Sequence, residues 1–141
     1  MEYRIDRSGT LPGLNDYTSA CRTNAYLGAS LKKKTEKRIV AQIAEQEVPS
    51  IDGLPRVRFE WREKSRRRDY DNIAFGKKFV LDALVTARVL TGDGWSHLAP
   101  GFRDDFAVDR DNPGVTVILE VPCEHHDPVP DGGRDSRRQS R

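Results

Sequence analysis

The chain has 141 residues and carries 24 Lys and Arg against 22 Asp and Glu, with 36% apolar and 33% charged residues. Such a length and balance admit one domain with a modest core and exclude a large multidomain enzyme. No apolar run approaches the roughly 18 residues of a membrane span, the first seven residues lack the apolar stretch of a secretory signal, and Cys21 and Cys123 cannot staple a secreted scaffold, so a cytoplasmic protein without membrane contact is expected.

Tyr3 and Ile5 flank Arg4 in the alternation of an opening strand, which Gly9, Pro12 and Gly13 end. Asn15 reads as a helix cap for a short helix reaching Leu27, with Asn24 able to cap a second start. From about Ala29 to Glu47, Leu31, Ile39, Val40, Ile43 and Ala44 recur at helical spacing, with Lys32, Lys33, Lys34, Lys37 and Arg38 crowding the first half. Pro49 to Pro55 forms a loop, and Val57, Phe59 and Trp61 then alternate with charged residues in a strand with one buried face. A charged run through Arg68 leads into Asp69-Tyr70-Asp71-Asn72 and a helix to about Arg88, followed by a glycine turn around Asp93. Phe106 and Val108 predict a short strand, Asn112-Pro113-Gly114 a turn and Val115 to Val121 a final strand, read together as a hairpin. The residues after Cys123 hold one aliphatic side chain, Val129, and read as a disordered tail over 123–141.

Charge is uneven along the chain. All seven lysines fall between Lys32 and Lys78, and residues 31–78 hold 14 basic against 8 acidic residues, whereas the remainder is net acidic. The electropositive middle points to a polyanionic partner, with a solvated helix face as the plainer alternative.

The pair Asp69 and Asp71 at a strand-to-helix junction can turn two carboxylates toward one cation, and carboxylate oxygens are the ligands Mg²⁺ prefers. Arg66, Arg67 and Arg68 directly before them attract phosphate, so the combination suits a site where a phosphodiester completes the coordination shell. The alternative is a surface ion-pair network with Asp71 or Asn72 capping the helix. Lys78, seven residues and nearly two full turns after Asp71, projects from the same helix face and can stabilise a transition state, or can simply pair with Asp82 at i, i+4. Lys77 points elsewhere and can meet a bound strand. Chain reach barely permits Asp93 to return to the site as a third carboxylate, and from spacing alone an ordinary turn aspartate is the default reading.

Two further strings are set aside. Asp109-Arg110-Asp111-Asn112 repeats the acidic pattern but runs into Pro113-Gly114 between strands, so turn contacts are expected there. Neither an EF-hand over Asp69 to Gly76 nor a zinc site at Cys123, His125 and His126 has its ligands at suitable spacing.

The string Arg67-Arg68-Asp69-Tyr70-Asp71-Asn72, then Lys78, then Leu81-Asp82-Ala83-Leu84, then Asp93, resembles the RusA-type Holliday junction resolvases, small homodimeric endonucleases often carried by phages and prophages. Leu11 to Tyr17, leading to the lysine run at Lys32 to Lys34, is also similar to that family, so the resemblance covers residues 1–122. It implies an α+β fold, a small mixed sheet flanked by helices, in a homodimer. It also implies Asp69, Asp71 and Asp93 as ligands for Mg²⁺, with Mn²⁺ as a substitute, and Lys78 as the catalytic lysine. Two positions depart from the family pattern. Gly92 stands where many members place a second aspartate, and the longer interval from Asp71 to Asp82 leaves Lys77 as an alternative catalytic cation.

The expected function is Mg²⁺-dependent resolution of four-way DNA junctions by paired symmetrical nicks, in the cytoplasm of a bacterium or a phage-infected host. Lys32, Lys33, Lys34, Lys37, Arg66, Arg67, Arg68 and Lys77 would contact DNA. The rivals are a non-enzymatic DNA-binding module using the same basic belt, and a structural protein whose belt meets an acidic protein surface.

Overall fold

Val57, Phe59 and Trp61 are all buried, as their alternation requires, and the strand that carries them sits between two others in a four-stranded sheet. The computed structural model describes residues 1–122; the predicted tail over 123–141 and the Cys123, His125 and His126 string lie outside them. In chain order the elements are β1 (Glu2–Ser8), α1 (Leu14–Thr23), α2 (Ala25–Glu45), β2 (Arg56–Glu63), α3 (Tyr70–Ala74), α4 (Lys77–Thr86), β3 (Phe102–Val108) and β4 (Gly114–Glu120). The architecture is mixed α+β. No helix among the described residues is long and apolar enough to cross a membrane.

The strand order is β1-β4-β2-β3. β4 pairs antiparallel with both β1 and β2, whereas β3 runs parallel to β2 from Val57↔Phe102 to Glu63↔Val108. The expected β3–β4 hairpin is therefore absent. The two strands lie on opposite sides of β2, and the α3–α4 segment supplies the crossover that a parallel pair needs. Asn112-Pro113-Gly114 is still a turn, but it carries the chain over the end of β2. There the Arg62 Nε–H donates to the Asn112 carbonyl at 2.9 Å.

One sheet face packs on α2 and α4 around Ile39, Ile43, Phe59, Phe79, Val80, Leu84 and Val117. The opposite face buries Ile118 and Thr116 under a layer of charged side chains rather than under a helix. Arg58 reaches Glu120 at 2.9 Å, Arg4 reaches Glu60 at 3.2 Å, and Arg62 donates to Thr116 Oγ1 at 2.7 Å. Their aliphatic stems shield the apolar surface while the heads stay paired near water.

The predicted helix from Asn15 divides at Asn24, whose side chain accepts the Leu27 N–H at 2.8 Å and starts α2. The predicted helix from Asp71 to Arg88 divides as well, at Phe75-Gly76. A Cβ at Gly76 would lie 3.1 Å from Leu11 Cδ1, so the glycine lets the segment before α1 close on the break.

Candidate functional site

The loop after β2 and the start of α3 are fixed from below by Arg68. Its guanidinium makes two bonds to Glu63, Nε to Oε1 and Nη2 to Oε2, each 2.9 Å, while Nη1 donates to the Leu11 carbonyl at 3.1 Å. Asp16 lies 3.8 Å from the same Nη1 and accepts the Gly13 N–H at 2.9 Å. Glu63 is only 8% exposed while Arg68 is part-exposed, so this is a largely buried bidentate pair at the floor of the surface. Arg68 is thus a structural clamp between the end of β2 and the entry to α1. Three of its five N–H groups are used in these bonds, so holding the fold is its main visible role, and one N–H on each terminal nitrogen is left for the DNA contact expected of it.

Asn72 completes the anchor. Its Oδ1 accepts the Asn15 N–H at 3.0 Å, and both Asn72 and Arg68 lie so close to Gly13 that no side chain fits there. Tyr17, Phe75 and Phe79 form an aromatic cluster, with ring centroids 5.6 to 6.2 Å apart, that holds α3 and α4 against α1.

On this base Asp69 is the N-cap of α3 and Asp71 sits in its first turn, both exposed. Asp71 Oδ1 accepts the Asn72 N–H at 2.9 Å. Asp69 lines a cleft of about 730 Å³ with Arg66, Tyr70, Phe106 and Val108. Tyr70 is 70% exposed and its ring packs at a tilt of 37° against Phe106, with centroids 4.6 Å apart.

The other predicted site residues are elsewhere. Asp93 lines a separate cavity of about 230 Å³ with Trp95, Leu98 and Phe102. Phe102 and Phe106 mark the two cavities at opposite parts of β3, about 13 Å apart at 3.3 Å per residue. Among the described residues no three His, Cys, Asp or Glu side chains gather closely enough to hold a metal ion, so Asp69, Asp71 and Asp93 do not form a three-carboxylate cage within one chain. The reason is the course of the loop. Val89, Leu90 and Leu98 bury its ends, and Thr91 Oγ1 bonds His97 Nδ1 at 2.8 Å. A Cβ at Gly92 would lie 2.5 Å from the His97 ring, so this position has no room for a side chain unless His97 moves.

Because of the break at Gly76, Asp71 and Lys78 lie on two helices, α3 and α4, and the expected common helix face does not exist. Lys78 lies 3.6 Å from Asp82, the simple i, i+4 pair, and is 58% exposed. Lys32 meets the same carboxylate at 3.7 Å. Lys77 is held more firmly, 2.7 Å from Asp104 Oδ2 and over the rings of Phe102 and Phe59. This pair to Asp104 ties Lys77 to β3, where the sequence expectation was a contact with a bound strand.

Asp104, which sequence reasoning did not single out, also accepts the Trp61 Nε1–H at 2.8 Å. The signal was available, since a buried indole needs an acceptor. Lys33, Lys34, Lys37, Arg66 and Arg67 are exposed and make no side-chain ion pair among the described residues.

The donor set bears on the metal. Mg²⁺ keeps several waters and is commonly held by one or two carboxylates together with substrate phosphates, so an exposed aspartate such as Asp69 or Asp71 has the donor chemistry for it without a third acid. A cage that includes Asp93 of the same chain does not fit. No protein-family model and no curated protein matches this chain.

Proposed function

We propose that the chain is a Mg²⁺-dependent endonuclease of the RusA-type, acting as a homodimer on four-way DNA junctions. The observation that carries this reading is the pair Asp69 and Asp71, exposed on an anchored turn beside Arg66 and Arg67, which form no ion pair among the described residues. Asp69 and Asp71 would hold the ion, with phosphate and water filling its remaining positions. When bound, the ion would neutralise charge on the phosphodiester and supply an acidified water.

The chain's own residues supply position. Arg66 and Arg67 would bind the phosphates flanking the scissile bond, and Tyr70 offers a ring face against which a base can stack. Lys78, with its long and exposed contact to Asp82, is the lysine free to swing toward a leaving oxygen. A four-way junction needs two opposed nicks, and a two-fold dimer presents two equivalent sites to the opposed strands.

A second reading has its own support. The absence of a three-acid cluster among the described residues favours a DNA-binding module in which Asp69 merely caps α3. A nicking assay on a synthetic four-way junction separates the two. The enzyme gives paired symmetrical cuts that need Mg²⁺ or Mn²⁺; a protein that binds the junction and never nicks it is the module.

A further inference from the structure

The loop Lys64–Arg68 is a ridge with a cleft on each side. Asp69 lines one, and the other, of about 710 Å³, lies between the segment before α1, the middle of α2 and the β3–β4 turn. Five cations line this second cleft, Arg38, Lys64, Arg67, Arg68 and Arg110, against two carboxylates, Asp16 and Glu63. Both carboxylates are turned onto Arg68. The remaining four cations come from three separate parts of the fold, are exposed, and make no side-chain hydrogen bond or ion pair among the described residues. Converging positive charge held apart at its own expense has no structural use here, since a fold gains nothing from gathering like charges.

We propose that this cleft binds a nucleic-acid backbone, with Arg38, Lys64, Arg67 and Arg110 as its phosphate contacts. Ser65 and the Glu63–Arg68 pair line both clefts, so a strand seated here passes directly over the ridge to the face that carries Asp69. The inference rests on the reading of the chain as a DNA-binding protein but not on cleavage. Arg38, Lys64 and Arg110 thereby acquire a role that the sequence pattern did not single out. The Asp109-Arg110-Asp111-Asn112 turn gains a purpose as well. Asp109 Oδ1 accepts the Asn112 N–H at 3.1 Å, which leaves Arg110 at the tip of a braced turn.

The test is fluorescence-anisotropy binding of a synthetic four-way junction by the full chain, in EDTA, across a series of salt concentrations, with labelled polyglutamate as a second probe. Removing one phosphate-binding side chain should lower the slope of log affinity against log salt by about one. Lys64→Ala, Arg67→Ala and Arg110→Ala should each do so, and the triple variant should lower it by about two to three, with at least a tenfold drop in affinity at low salt. Arg103→Ala, at the far edge of the sheet and paired with Asp105 at 3.3 Å, should change neither. Thermal melting of every variant distinguishes misfolding from weakened phosphate binding.

A triple variant that melts normally and retains the wild-type slope overturns the proposal. Loss of polyglutamate binding with an unchanged DNA slope overturns it in favour of an acidic protein partner. A wild type that binds with the predicted slopes but never nicks leaves this cleft standing and removes the nuclease reading.

Discussion

Replacing Arg68 with alanine should loosen the candidate site from its base. The substitution removes two charge-assisted bonds to Glu63 and one to the Leu11 carbonyl, and leaves a carboxylate 8% exposed without its partner. Breaking a buried pair in this way costs about 3–5 kcal/mol, against a total stability of about 5–15 kcal/mol for a domain. At about 3–4 °C per kcal/mol for a chain of this size, the melting temperature should fall by roughly 10–20 °C. Arg67→Ala, one residue away and exposed, should stay within about 0.5 kcal/mol of wild type while weakening DNA binding. Adding Glu63→Gln to Arg68→Ala removes the stranded charge and should recover part of the loss, read as a coupling in a double-mutant cycle by calorimetry. An Arg68→Ala protein that melts like wild type but binds DNA poorly would refute the clamp and return Arg68 to the phosphate contacts.

Other outcomes follow from the packing. Gly13→Ala places a Cβ 2.7 Å from Arg68 Nη1 and into Asn72, so urea unfolding should show a loss of about 1–3 kcal/mol, whereas Gly94→Ala, which meets nothing within 4 Å, should be neutral. Asp104→Ala strands the Trp61 indole N–H, 3% exposed, and frees Lys77; a loss of about 1–3 kcal/mol and altered Trp61 fluorescence are expected. Burial, then the nearby Arg38 charge, lower the Arg7 guanidinium to about 10, and its Nε has no partner among the described residues. Because the folded value lies below the unfolded one, the penalty is present at neutral pH and is relieved only as pH rises through about 10. Arg7→Met should therefore leave stability at pH 7 unchanged or raise it by about 1–2 kcal/mol in urea unfolding, and a clear loss would contradict that sign.

What the sequence made legible was whatever one element determines alone. The alternation of Val57, Phe59 and Trp61 gave β2, the spacing of Ile39 and Ile43 gave the buried face of α2, and Asn24 marked a cap because its amide oxygen competes for a free N–H. Relations between elements were hidden. The Asn-Pro-Gly turn has hairpin chemistry, yet β2 takes the place beside β4, and β4 is buried along nearly its whole length, so its alternation carried no information about its neighbours. Helical phase from Asp71 to Lys78 failed because Leu11, far earlier in the chain, closes on Gly76, a contact no local pattern announces. At the candidate site, spacing singled out Asp69 and Asp71, whose exposure at the start of α3 is local, but the pairing of Arg68 with Glu63 and of Lys77 with Asp104 depends on burial that only the fold creates. Arg110 gives no local signal either. Its partners in charge, Arg38 and Lys64, lie far away in sequence and across one cleft in space.

The most direct measurement is cleavage of a synthetic four-way junction by wild type and Asp71→Asn side by side, with binding to the same junction followed in parallel. Wild type should give paired nicks with Mg²⁺ and the variant none, while junction binding persists in both. Undiminished cutting by Asp71→Asn would contradict a metal-holding role for this carboxylate and, with it, the proposed hydrolytic site.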